Sequence, residues 1–63
     1  MFKLEMETCN SSFRDDYENL DPTAAEVCRI LWKVKVALEN GATSGMLVDE
    51  CGNTVGSWSY TDD

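Results

Sequence analysis

Apolar and charged residues alternate at the start of the chain. Phe2, Leu4, Met6 and Thr8 share one parity, and Lys3, Glu5, Glu7 and Cys9 the other. A period of two puts the first set on one face and the second on the opposite face. That predicts a half-buried strand over 2–9. The alternation then stops. Residues 10–21, NSSFRDDYENLD, have no period and are rich in Asn, Ser and Asp, so they read as an acidic loop. Phe13, Tyr17 and Leu20 are its candidate anchors to the body. A connection of this length in a compact domain is uncommon and often functional.

The period lengthens over PTAAEVCRILWKVKVALEN and predicts a helix over 22–40. Asp21 stands where an N-cap belongs, with Pro22 at the first helical position, where a missing N–H costs nothing. Thr23 with Glu26 offers a competing capping box. Gly41 after Asn40 supplies the left-handed residue that ends a helix. At about 100° per residue, Ala24, Val27, Ile30, Leu31, Val34, Ala37 and Leu38 form one broad stripe suited to covering a sheet. Ala25, Trp32 and Val36 form a second stripe, flanked by Arg29 and Lys33. A solvent-facing stripe does not ordinarily contain Trp and Val.

SGMLVDE and NTVGSWSY read as two strands of a hairpin over 44–60, joined by a tight turn at Cys51-Gly52 between Asp49 and Asn53. Gly45 and Gly56 lie inside these strands and mark places where a bulky neighbour, Trp58 first of all, approaches the backbone. Two registers are open. If Asp49 pairs with Thr54, then Leu47 meets Gly56 and Gly45 lies opposite Trp58. Leu47, Trp58 and Tyr60 then face the helix. If a bulged turn pairs Leu47 with Val55, Trp58 points outward. A slip of one residue flips every side chain. The first register is preferred because it gives the larger residue to a small core.

These elements predict an α+β fold with the order β-α-β-β: one domain over 1–63, a three-stranded antiparallel sheet with one helix packed on one face. The other face is expected to display Lys3, Glu5, Glu7, Met46, Val48 and Val55. A chain of 63 residues buries a small core, which rarely supplies more than roughly 3–5 kcal/mol.

Charge adds a second layer. The formal net charge is −7, from 12 acidic and 5 basic residues, with no histidine. Phosphate contact needs clustered Lys and Arg, so direct nucleic-acid binding is not expected. No apolar run is long enough to span a membrane, and no secretory leader is expected at Met1. Cys9, Cys28 and Cys51 form no CxxC pair, so they read as free thiols of a reducing compartment. Without histidine there is no Ser–His or Cys–His pair and no familiar zinc set. Phosphate-binding glycine motifs are lacking as well. Asp15–Asp21 lacks the spacing and glycine of a calcium-binding EF-hand loop. The expectation is therefore no enzyme, no cofactor and no metal.

Two surface features remain. Glu5 and Glu7 on the sheet, with Asp15, Asp16, Glu18 and Asp21 in the loop, offer a negative flank. Such a flank either keeps a small protein soluble or docks on a basic partner in place of a nucleic acid. Trp32 and Val36 are either covered by the loop, a homodimer seam, or an anchor for a partner, since Trp is enriched at the energetic centres of interfaces.

The strand ending in Glu7-Thr8, then Asn10 and Phe13, then Thr43-Ser44-Gly45 and Leu47, then Asp49, Gly52-Asn53, Val55-Gly56 and Trp58, resembles a group of short acidic proteins encoded in phages, prophages and plasmids of proteobacteria. Trp32, Met46 and Val48 depart from the polar residues expected at those places in such relatives. The resemblance implies an anti-CRISPR inhibitor in the cytoplasm of a bacterial host. It would bind a Cas effector subunit, with a multisubunit type I complex favoured, and block target DNA through a DNA-mimicking surface. The competing expectation is a homodimeric accessory protein of a mobile element, joined through Trp32 and Val36, with no defence target.

Overall fold

The computed structural model describes residues 1–15, 17 and 19–63. Strand β1 (Phe2–Met6), a 3-10 turn (Ser11–Phe13), helix α1 (Ala25–Glu39), strand β2 (Ser44–Val48) and strand β3 (Thr54–Tyr60) follow in that order. The strands form one antiparallel sheet in the order β1-β3-β2, with α1 packed on one face. This is the α+β arrangement that the two periodicities predict, with β3 at the centre.

β1 ends at Met6, short of the predicted 9, because its partner runs out. The Glu7 N–H makes a last bond to the Val55 carbonyl at 2.7 Å, and β3 begins at Thr54.

The helix begins three residues later than its cap signals suggest. Asp21 Oδ1 accepts from the Thr23 N–H at 2.9 Å and from the Thr23 hydroxyl at 2.8 Å, which closes a turn over 21–24. The Ala24 N–H donates to the Asp21 carbonyl, and Ala24 takes a left-handed φ of 53° with no side-chain cap. Neither predicted cap therefore forms, because Asp21 and Thr23 bond each other and Glu26 bonds Arg29. The far end matches expectation. Gly41 is left-handed, and the Gly41 and Ala42 N–H groups reach back to the Leu38 and Ala37 carbonyls, a Schellman closure.

The core consists of Phe13, Ile30, Val34, Leu47, Val55 and Trp58, with Leu4, Met6, Val27, Ala37 and Leu38 packed against it. Full burial of Ile30 and Leu47 contributes about 1.5–3 kcal/mol each. Leu31 was expected in this stripe but is 43% exposed. It lies about 100° from Ile30 around the helix, beyond the reach of a narrow three-stranded sheet. Ala24 is exposed as well, ahead of the helix.

The hairpin contains both registers. Next to the turn, Val48 pairs with Thr54. Beyond it, Leu47 pairs with Gly56 and Gly45 with Trp58. The shift falls at Val55, an extra residue on β3. A bulge turns consecutive residues toward one side, so Val55 enters the core and not the open face where alternation put it. The turn itself has three residues, Glu50 to Gly52, and Gly52 takes the positive φ that such a connection needs. Tyr60, expected against the helix, is half exposed at the end of the sheet beside Phe2.

Candidate functional site

The end of the molecule where β1 exits, α1 begins and β2 turns into β3 is held together by two carboxylates. Asp49 is buried and accepts from the N–H groups of Cys51 (3.0 Å) and Asn53 (2.8 Å). It also accepts from the side chains of Asn10, Ser12 and Asn53. Burial alone pushes this carboxyl up. The bonds from Asn53, Asn10 and Cys51 outweigh it and hold the group below its ordinary value. Glu26, equally buried, takes a two-pronged bond from Arg29 and the Glu50 N–H at 2.7 Å. The Arg29 bond lowers its pKa most, against the opposing effect of burial. Arg29 also reaches the Val48 carbonyl at 3.3 Å, so the first turns of α1 are clamped to the hairpin.

This clamp fastens one pole of the sheet. Glu7 follows the last residue of β1 and Glu50 lies in the turn after β2, at the end that holds the buried Asp49 and Glu26, whereas Glu5 pairs with Ser57 in mid-sheet and Asp15 and Asp21 belong to the loop. Arg29, the cation of the clamp, is engaged by Glu26. Lys33 and Lys35 lie in the body of α1, and Lys3 is two residues from Glu5 on the same face of β1. Among the described residues the ion pairs are Arg29–Glu26 and Lys35–Glu39. Glu5, Glu7 and Glu50 are thus exposed with no cation paired to them. An open depression of ≈ 450 Å³ between Glu5, Met6, Glu7 and Thr54–Gly56 lies beside the first two.

The predicted site residues divide into two sets. Glu5 and Glu7 lie on one face of the β1 edge, Glu5 in mid-sheet and Glu7 just past the strand's end, and Asp15 and Asp21 lie in the loop. Asp15 and Asp21 are half-buried and shape the loop: Asp15 Oδ1 accepts from the N–H groups of Tyr17 and Asn19, and Asp21 braces Thr23. Asp16 and Glu18 lie outside the described residues. Trp32, 63% exposed, and the half-buried Val36 sit on the outer side of α1, apart from the carboxylates. The loop does not cover Trp32. Phe13 is in the core, Tyr17 is exposed, and Leu20 is more than half exposed, its backbone bridged to Arg14 and its side chain beside Phe13 and Val27.

Sequence reading missed Glu50, Asp49 and the Glu26–Arg29 clamp. The Asp49-x-x-Gly52-Asn53 spacing held the available signal, since Asp before such a turn bonds the following N–H groups. No family model, curated protein or solved structure matches the chain. Among the described residues, no helix is long and apolar enough to cross a membrane.

Proposed function

We propose that the chain is a non-enzymatic inhibitor that presents its acidic pole to the basic groove of a nucleic-acid-binding protein. The supporting observation is that Glu7 and Glu50 stand exposed and outside any ion pair at the clamped end of the sheet, with Glu5 likewise exposed further along the β1 edge. Duplex DNA presents about one negative charge per 1.7 Å of axis. A compact cluster of carboxylates competes for the same Lys and Arg side chains, and long-range attraction speeds the encounter. Asp49 and Glu26 hold the pole together and leave the exposed carboxylates free.

The resemblance to small acidic phage and plasmid proteins narrows the partner to a CRISPR–Cas effector, with a type I surveillance complex favoured. The site of action is then the cytoplasm of the bacterial host. Mixing the chain with purified type I and type II effectors tests this. The chain should co-elute with an effector, and that effector should then fail to shift target DNA. Absence of both effects across both types rejects the reading.

A further inference from the structure

Among the described residues, Ala24 is the one residue other than glycine with a positive φ, at φ 53° and ψ 35°. An L residue is disfavoured there, because its Cβ crowds the following carbonyl oxygen. The strain falls between two pieces of helix. Before it, Asp21 Oδ1 accepts from the Thr23 N–H, and the Asp21 carbonyl accepts from the Ala24 N–H. The first is the bond that an N-cap makes to the second residue of a helix, and Pro22 stands between the two, at the first helical position. After it, α1 runs from Ala25. Right-handed φ and ψ at Ala24 would fuse both pieces into one helix from Pro22, capped by Asp21. Glu26 and Val27, whose N–H groups have no acceptor among the described residues, would then bond the Pro22 and Thr23 carbonyls.

A tether holds the bent form. The Asp21 N–H donates to the carbonyl of Phe13, a core residue, at 2.9 Å, and Leu20 is bridged to Arg14. These contacts offset the strain at Ala24. The packing around them is incomplete. A void of ≈ 90 Å³ lies between the loop and the start of α1, lined by Phe13, Leu20, Asp21, Ala24 and Val27 among others. Leu20 stands at its rim, 56% exposed. Side chains around such a void forgo dispersion contacts, and the space leaves the segment room to move.

We propose that Ala24 is a joint with two settings. Residues 20–24 pass between the bent form, tied to Phe13, and a helical form in which α1 starts at Pro22 and the Asp21 N–H releases Phe13. One strained residue is set against one neutral hydrogen bond, and both are small quantities. A partner that grips this segment in one setting draws the equilibrium to that setting. Glu5, Glu7 and Glu50 take no part in the joint, so it stands or falls apart from the inhibitor reading.

The test uses the full chain and two variants at Ala24, which is exposed. Glycine accepts a positive φ freely and is a poor helix residue, so Ala24→Gly should favour the bent form. Valine is crowded at positive φ, so Ala24→Val should favour the helical one. The urea midpoint of Ala24→Gly should rise above the parent's, and its amide exchange at Glu26 and Val27 should be the fastest of the three chains. In Ala24→Val the ratio of bent to helical form should fall at least about fivefold. That fall is read as slower exchange at Glu26 and Val27, and as a nuclear Overhauser contact between the Thr23 Hα and the Glu26 N–H. Two results overturn the proposal. A midpoint lowered by Ala24→Gly would show that Ala24 is not held left-handed. An Ala24→Val chain that gains neither the protection nor the contact would make Ala24 a fixed point of strain with no second setting.

Discussion

Asn10 Nδ2 donates to Asp49 Oδ2 at 2.7 Å across 39 positions of sequence. The bond joins the exit of β1 to the turn between β2 and β3. Ser12 and Asn53 converge on the same carboxylate. The acidic loop is thereby fixed to the hairpin by one buried anion that no lysine or arginine contacts. Neutral donors alone satisfy it, which keeps the pole's net charge negative.

Removing that anion should release the loop. Asp49→Ala leaves the Cys51 and Asn53 N–H groups and the Asn10 amide without their acceptor, and an unmade buried hydrogen bond is costly. The variant should melt at a clearly lower temperature. Amide exchange should accelerate first over residues 10–21 and the β2–β3 turn. Exchange accelerated evenly along the chain would show that Asp49 has no special hold on the loop.

Stability should fall on acidification. Asp49 and Glu26 both have carboxyls lowered in the fold. Unfolded Asp and Glu titrate near about 3.9 and 4.3. Their contribution is therefore complete above those values and is lost as pH falls toward and through the lower folded ones. Denaturant midpoints should hold level down to about pH 5 and decline below about pH 4. In Asp49→Asn with Glu26→Gln the acid decline should be much shallower. An equally steep decline in the double variant would assign acid sensitivity to other carboxylates.

Much of the fold was legible because periodicity reports burial directly. The alternation of β1 and the helical spacing of Ile30 and Val34 each name the face that packs. Gly41 marked the helix end because a left-handed residue is required there. What escaped was local competition. Thr23 bonds Asp21, so the helix starts after Ala24. An extra residue at Val55 lets both hairpin registers coexist, and a two-fold pattern has no way to encode that. Of the site, Glu5 and Glu7 were readable as an exposed pair. Glu50 was not, because only the fold shows its N–H bound to Glu26 with its side chain exposed in the turn.

Two strand glycines should respond differently to a methyl group. A Cβ at Gly45 would sit 2.7 Å from Trp58 Nε1, confirming the predicted neighbour. One at Gly56 would overlap the backbone carbonyl of Glu5, so its crowding comes from β1 and not from Trp58. Gly45→Ala should cost about 1–3 kcal/mol, as overpacking does, because an indole can shift. Gly56→Ala should cost more and unzip β1 from β3. Urea unfolding checks the order, and equal costs would mean that the β1–β3 approach relaxes freely.

Trp32 and Leu47 should separate surface from core. Leu47→Ala should lose about 2–5 kcal/mol. Trp32→Ala, measured at concentrations too low for self-association, should stay within about 0.5 kcal/mol of the parent. A core-sized loss at Trp32 would place its ring inside a single copy.

The most direct measurement is a competition titration. A type I surveillance complex binds labelled target duplex while the chain is added, at low and at raised salt. The parent chain should displace the duplex, and raised salt should weaken that displacement, because screening shortens the reach of surface charge. The Glu5→Lys, Glu7→Lys double variant should fold normally and lose most of it. Duplex binding that is indifferent to the parent chain, or displacement that survives both charge reversal and salt, would contradict the acidic pole as the inhibitory surface.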